Sequence, residues 1–168
     1  MVAIETLSKN QTIGDKYLNS SSQIVHTQYS RDCELIVVAP ATANFIAKLA
    51  NGICDDTLTN LCAARNTEML VVPAMNIRMW ENPANQRNIN LLKKDNISIF
   101  GPAEGMQACG DSGVGRMKEP GEIAEKILDE ISFTATDRSG EKIVINKAYI
   151  EKNLDNLVKD TDLSKFIL

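Results

Sequence analysis

The feature that most constrains the fold is the repeated succession of a short apolar run and a loop of small residues. Three such runs occur, at residues 34–39, 69–72 and 97–100, and each is short enough for a buried β-strand. The stretches between them carry apolar residues at helical spacing. Strands that alternate with helices predict parallel βαβ units, and therefore an α/β fold with a doubly wound parallel sheet.

The sequence also marks where the intervening helices begin. Small polar or acidic residues favour the N-terminus of a helix because their side chains accept hydrogen bonds from free backbone N–H groups. Proline is favoured in the first helical turn, where its missing N–H costs nothing. The predicted helix starts are Thr42, Asp55-Asp56, Asn82-Pro83 and Pro120.

Each of the three predicted strands is followed by a loop that lies where α/β sheets bind ligands. The carboxyl ends of parallel strands meet at one edge of the sheet, so residues 39–44, 72–80 and 105–117 are expected near each other. These loops supply an Asn, a Thr and a Cys with almost no charge. Such a set suits a flat, mostly apolar ligand better than a metal ion or a nucleic acid.

Composition argues against several classes of function. The formal net charge is −4 and no Lys/Arg cluster occurs, so no nucleic-acid partner is expected. No apolar run approaches the roughly 20 residues that span a bilayer, and residues 1–10 lack the apolar core of a signal peptide, so we expect a cytoplasmic protein. The four cysteines form no CxxC pair, and with a single His they predict reduced thiols and no metal site.

Three segments resemble the signatures of the flavin-dependent cysteine decarboxylases. They are PATANFIAKLANG, VVPAMNIRMW and ACGDSGVGRM, in the order and at the spacing of that family, with His26 sixteen residues before Thr42. The family includes phosphopantothenoylcysteine decarboxylase of coenzyme A synthesis and the lantibiotic peptide decarboxylases. The resemblance covers about residues 1–128 and implies a flavodoxin-like or Rossmann-like domain that binds FMN.

The resemblance also implies roles for individual residues. His26 is a catalytic base or charge partner at the flavin, and Cys109 is the proton donor of the reductive step. Asn76 and Met106 are substrate-binding. The flavin-contacting residues are Thr42, Ala43, Asn44, Phe45 and Ala74, although position 45 is often Thr in the family.

The same side chains have purely structural interpretations, which the sequence leaves open. A lone His such as His26 is more often a surface or core residue, and Asn76 is a favoured N-cap for a short helix that follows it. Buried cysteines are more often packing residues than reactive ones. On this interpretation Cys33, Cys54, Cys62, Met75, Met79 and Trp80 are core residues.

The reaction implied by the resemblance is a carboxy-lyase reaction. FMN oxidises the thiol end of a cysteine moiety, CO₂ leaves, and in the coenzyme A pathway the reduced flavin returns the electrons, converting 4′-phosphopantothenoylcysteine to 4′-phosphopantetheine. Family members assemble as homotrimers or larger homo-oligomers. No glycine-rich turn of the GxGxxG kind precedes residue 26, so we expect a domain that is truncated at its N-terminus, with an inactive fusion remnant as the alternative.

Residues 129–168 differ from the rest and predict a second, smaller domain. Residues 131–136 and 142–146 are expected to form a hairpin, followed by an amphipathic helix at 147–159. The stretches ISFTATDRSGEKIVI and DLSKFIL resemble the C-terminus of the AAA+ unfoldase subunit of the bacterial proteasome-like protease. This resemblance implies a peptidase partner that the apolar C-terminal tail would contact, with folding back onto the chain as the alternative.

Overall fold

The computed structural model describes residues 5–6, 8–10, 12–14, 25–107 and 110–135. The chain divides into two compact units. The larger unit is Ile13–Glu119, and the smaller combines Met1–Thr12 with Pro120–Leu168. All the predicted ligand-binding loops fall in the larger unit.

A parallel three-stranded sheet organises the larger unit. Its strands are β1 (Leu35–Ala41), β2 (Glu68–Pro73) and β3 (Ser98–Ile99), in the order β1-β2-β3. Leu35 pairs with Glu68 at the start of the β1–β2 ladder, and the register shifts between Val38 and Ala41. The three strands lie where the apolar runs predicted them, and the α/β class with a parallel sheet is confirmed.

The helices of the larger unit begin at the predicted caps. Thr42 Oγ1 accepts a hydrogen bond from the N–H of Phe45, and Asp56 forms a capping box with Thr59. Asn82 caps a helix whose first residue is a proline. The helices are α1 (Val25–Asp32), α2 (Ala43–Ala50), α3 (Thr57–Ala63), α4 (Ile77–Glu81) and α5 (Pro83–Lys94); α1, which is mostly polar, was not predicted.

The hydrophobic core forms around β2, whose two faces are both covered. Successive side chains of a strand point to opposite faces, and Met69 and Val71 on one face are as fully buried as Leu70 and Val72 on the other. Burial of both faces is what a sheet with helices on either side requires. The cluster on the Met69 face comprises Ile36, Val38, Ala41, Ile46, Cys62, Met69, Val71, Ile89, Leu92 and Ile97.

The segment after β3 forms an antiparallel hairpin, whereas the sequence predicted only a glycine-flanked loop. Strand β4 (Ala103–Met106) pairs with β5 (Ser112–Arg116), and Gly105 lies opposite Gly113 in the ladder. Glycine has a low strand propensity, so these residues give no local signal for a strand.

The described part of the smaller unit is dominated by one helix, α6 (Pro120–Ala135). It begins at the predicted proline but continues through residues 131–135, so the strand predicted at 131–136 is wrong over that range. Lys126 and Glu130 form an ion pair one helical turn apart, at 2.8 Å, which supports the helix in this region. The second predicted strand, the predicted helix at 147–159 and the apolar tail lie outside the described residues.

No helix in the described ranges combines the length and the apolarity needed to cross a bilayer.

Candidate functional site

A cavity of about 490 Å³ lies between the loop that follows β2 and the β4–β5 hairpin. It contains three of the residues assigned to the site by resemblance, Ala74, Asn76 and Met106, which are up to 32 positions apart in the sequence. The structure therefore brings one predicted flavin contact and both predicted substrate contacts together. The full lining is Ala74, Met75, Asn76, Met106, Gln107, Gly115, Arg116 and Met117.

Backbone hydrogen bonds hold the loop after β2 between two neighbours. The N–H of Ala74 donates to the carbonyl oxygen of Ala41 at 2.9 Å, at the end of β1. The next N–H, of Met75, donates to the carbonyl oxygen of Gly115 at 2.9 Å, in β5. The loop is thus fixed to the sheet on one side and to the hairpin on the other, and its side chains have a defined position.

The side-chain amide of Asn76 caps a helix at one end and contacts a carboxylate at the other. Its Oδ1 accepts the N–H of Arg78 at 2.8 Å and caps α4, which confirms the structural interpretation of this residue. Because the cap uses Oδ1, the amide nitrogen Nδ2 is directed the other way. It donates to Oδ2 of Asp111 at 2.6 Å.

Gln107 links the tip of the hairpin to α4 and was not among the predicted site residues. Its Oε1 accepts the N–H of Ile77 at 3.1 Å, so it supplements the cap provided by Asn76. Its own N–H donates to the carbonyl oxygen of Asp111 at 2.8 Å, and its carbonyl accepts the N–H of Gly110. The sequence signal that could have identified Gln107 is its side-chain amide, which stands beside Met106 in a segment of small residues.

Two glycines allow the hairpin to approach this closely. A Cβ on Gly115 would overlap the carbonyl oxygen of Met75, and one on Gly113 would overlap the side chain of Ile77. Gly113 also has φ +151°, a conformation that other residues rarely adopt. These positions therefore require glycine, and the hairpin forms one wall of the cavity because of them.

The cavity is close to electrically neutral. Arg116 is the one charged residue in its lining, and its guanidinium forms an ion pair with Glu119, three residues further on. Thioethers, an alanine and two side-chain amides provide most of the remaining surface. Within the described part of the chain, no group of three His, Cys, Asp or Glu side chains could hold a metal ion.

The four predicted flavin contacts after β1 do not line this cavity. Thr42 is the N-cap of α2, and Thr42 and Asn44 have exposed side chains. Phe45 is partly buried against the core. Ala43 lines a separate cavity of about 240 Å³ between α2 and α5. A backbone hydrogen bond from Ala74 to Ala41, at the end of β1, connects this part of the chain to the main cavity.

The two predicted catalytic residues cannot be placed against the cavity. His26 lies in α1, but its side chain is outside the described part of the structure. Cys109, which lies between β4 and β5 in the sequence, is also outside the described residues.

The expectations for the other sulfur-containing and aromatic residues are met in part. Met75 and Trp80 are partly buried against the core as predicted, but Met79 is 49% exposed, because it lines the smaller cavity beside Ala43 and is not in the core. Cys62 is fully buried, and burial raises the pKa of its thiol to about 11. Cys54 is exposed, so its assignment to the core is wrong, since it lies in the loop before α3.

Comparison with known proteins identifies a family. The family described as Flavoprotein matches residues 1–132 of the chain. The bifunctional coenzyme A biosynthesis protein CoaBC of Bacillus subtilis is 37% identical over 158 residues, which is 92% of this chain. The chain spans only 38% of the length of that relative.

Solved structures agree with the sequence comparison. A mutant of PPC decarboxylase complexed with pantothenoylaminoethenethiol superimposes with a TM-score of 0.68 at 31% identity, over 71% of this chain and 70% of that one. The FMN-binding protein AtHal3 superimposes with a TM-score of 0.64 at 34% identity, over 71% and 69%. These matches confirm the flavodoxin-like α/β fold expected from the sequence.

The comparisons do not support the resemblance of residues 129–168 to an AAA+ unfoldase. Those residues make up nearly a quarter of the chain, and the match to the B. subtilis protein covers 92% of it. That match therefore extends into the C-terminal segment, which leaves the expected peptidase partner without support.

Proposed function

The chain belongs to the Flavoprotein family, and on this premise we propose that it carries out FMN-dependent decarboxylation of 4′-phosphopantothenoylcysteine to 4′-phosphopantetheine. The observation that carries the proposal is the single cavity lined by Ala74, Asn76 and Met106. Names of similar proteins support the substrate class, since they include a coenzyme A biosynthesis protein and a PPC decarboxylase. The chain matches little more than a third of the B. subtilis relative, so the pathway is part of the proposal.

The residues present fit an FMN cofactor. The backbone bond from Ala74 to Ala41 joins the loop after β2 to the end of β1, and Ala41, Ala43 and Ala74 have small side chains, which suit contact with a flat ring. When bound, FMN would supply a two-electron acceptor for the substrate thiol and a donor for the later reduction. We assign its contacts to Thr42, Ala43, Asn44, Phe45 and Ala74.

Asn76 is proposed to bind the substrate carboxylate through Nδ2. Its cap to α4 fixes the orientation of the amide, so the nitrogen is presented without further ordering. An amide donates to a carboxylate without adding a fixed charge. A neutral donor avoids stabilising the carboxylate strongly before CO₂ leaves, which would slow the step. Met106, 76% exposed beside the cavity, is proposed to cover the apolar part of the substrate.

Proton transfer is proposed to fall to His26 and Cys109. An imidazole exchanges protons near neutral pH, which suits removal of a proton as the thiol is oxidised. A thiol returns a proton more readily than a hydroxyl, which suits Cys109 as the donor in the reductive step. These roles follow from the resemblance to the family.

We also propose that the chain forms a homotrimer or a larger homo-oligomer. Besides Met106, three large apolar side chains of the larger unit are each exposed by more than 45%: Tyr29, Ile53 and Met79. Exposed apolar side chains of this kind are covered in many assemblies. Light scattering coupled to gel filtration measures the mass directly, and a monomer at micromolar concentration would reject the assembly.

Mass spectrometry of the reaction mixture tests the function. The chain is incubated with FMN and 4′-phosphopantothenoylcysteine, and with FMN omitted. We expect 4′-phosphopantetheine only when FMN is present, and none from Asn76→Asp, whose added charge repels the substrate carboxylate. Asn90→Asp is the matched control, since Asn90 is exposed on α5 and lines none of the cavities described above. Unchanged substrate with the FMN-loaded wild type rejects the proposal.

A further inference from the structure

We propose that the carboxylate of Asp111 competes with the substrate carboxylate for the side-chain amide of Asn76, and so makes Asp111 a specificity-determining residue of the cavity. The identity of the ligand rests on the proposed function. The competition itself follows from the contacts of Asn76, Asp111 and Gln107.

The first contact is the hydrogen bond from Asn76 Nδ2 to Asp111 Oδ2, at 2.6 Å. The other end of the amide, Oδ1, is engaged by the backbone of Arg78 at 2.8 Å. The amide therefore cannot rotate to offer its nitrogen elsewhere without losing the cap of α4. A ligand carboxylate that binds Asn76 must approach the same NH₂ group that Asp111 already contacts.

The second observation is that Asp111 is held in place by its own backbone. Its carbonyl oxygen accepts the N–H of Gln107 at 2.8 Å, and Gln107 Oε1 accepts the N–H of Ile77 at 3.1 Å. The hairpin tip is thus connected to α4 independently of the Asp111 side chain. The carboxylate can yield to a ligand while the hairpin remains attached.

The competition affects only ligands that carry a carboxylate. The carboxylate of Asp111 already accepts a hydrogen bond from the Asn76 amide that would bind the substrate carboxylate. Two negative charges beside one donor repel each other. A ligand without a carboxylate does not experience this competition. Asp111 therefore weakens binding of the substrate more than binding of the decarboxylated product. Because the Asn76–Asp111 contact is exposed, solvent screening keeps the effect modest.

Calorimetric titration of the FMN-loaded chain tests this inference, with 4′-phosphopantothenoylserine in place of the substrate, because it keeps the carboxylate but lacks the thiol that FMN would oxidise and is therefore not turned over. We expect Asp111→Asn to bind this serine analogue of the substrate between about twofold and tenfold more tightly than the wild type. Binding of 4′-phosphopantetheine is expected to be unchanged. An Asn at 111 keeps an oxygen that accepts from Asn76, so the contact survives without its charge.

Glu104→Gln is the matched control. It removes one negative charge from an exposed position of the same hairpin, and Glu104 is not in the cavity lining. We expect wild-type affinities for both ligands. Equal substrate affinity in Asp111→Asn and the wild type, or a parallel change for both ligands, overturns the competition while leaving the function intact. A wild type that binds neither ligand overturns the proposed function, and the inference with it.

Discussion

The backbone N–H of Met75 donates a hydrogen bond to the carbonyl oxygen of Gly115, at 2.9 Å. This bond joins the loop after β2 to strand β5, which are 40 residues apart in the sequence. It sets the separation of the two walls of the main cavity. The absence of a side chain at position 115 makes the close approach possible.

Gly115→Ala is expected to disrupt the cavity. The added Cβ would overlap the carbonyl oxygen of Met75, so β5 must move away from the loop. We expect a loss of stability of about 1–3 kcal/mol, typical of overpacking, and a larger proportional loss of substrate affinity. Chemical denaturation measures the stability, and calorimetric titration with the unreactive serine analogue of the substrate measures the affinity. Gly121→Ala is the control, because a Cβ there meets no atom within 4 Å; if it weakens binding equally, the steric explanation is wrong.

Cys109→Ser is expected to stop the reaction after CO₂ has left. Oxidation and loss of CO₂ do not need the Cys109 thiol. The reductive step needs a proton donor, and a serine hydroxyl donates a proton much less readily than a thiol. An oxidised, decarboxylated product should therefore accumulate, detected by its mass. Cys54→Ser, at an exposed thiol, should behave as the wild type. Complete turnover by Cys109→Ser would remove Cys109 from the site.

Two adjacent leucines of α5 are expected to contribute very differently to stability. Leu92 is fully buried in the core cluster, whereas Leu91 is 41% exposed. Leu92→Ala should lower the free energy of unfolding by about 2–5 kcal/mol, because it removes buried methyl groups and leaves a cavity. Leu91→Ala should cost less than about 1 kcal/mol. Urea denaturation measures the free energy of unfolding of both variants. Equal losses for the two would contradict the position of Leu92 in the core.

Stability should fall in the alkaline range because of Cys62. Burial raises the pKa of this thiol from 9.0 to about 11, so the folded chain holds a proton that the unfolded chain releases. The stability that comes from keeping this thiol protonated is fully present below pH 9 and is lost as pH rises towards 11. The measurement is the difference in unfolding free energy between wild type and Cys62→Ala across that range. A difference that is constant with pH would contradict the shift.

The sequence predicted the parts of the fold that are determined locally. Apolar runs located the three parallel strands, and polar caps located the starts of α2, α3 and α5, because strand burial and cap hydrogen bonds depend on nearby residues. The resemblance to the family assigned Ala74, Asn76 and Met106 to the site, and these residues share one cavity. Both kinds of signal lie within a few consecutive residues.

The features that sequence reasoning missed depend on contacts between distant residues. The β4–β5 hairpin uses glycines whose space is set by Ile77 and Met75, so its pairing has no local signal. The contact between Asn76 and Asp111 spans 35 positions. Helix α6 continues through residues whose alternating pattern favoured a strand, because the preceding helical turns extend into them.

The side-chain amide resonance of Asn76, in a spectrum of the ¹⁵N-labelled, FMN-loaded chain, tests the central claim most directly. Asn76→Asp identifies the resonance by its disappearance. On addition of 4′-phosphopantothenoylserine, which keeps the carboxylate but lacks the oxidisable thiol, we expect a saturable shift of the Asn76 amide, while the exposed Asn90 amide stays unchanged. Saturable shifts elsewhere in the spectrum, with the Asn76 amide unmoved, would contradict the assignment of this cavity to the substrate carboxylate.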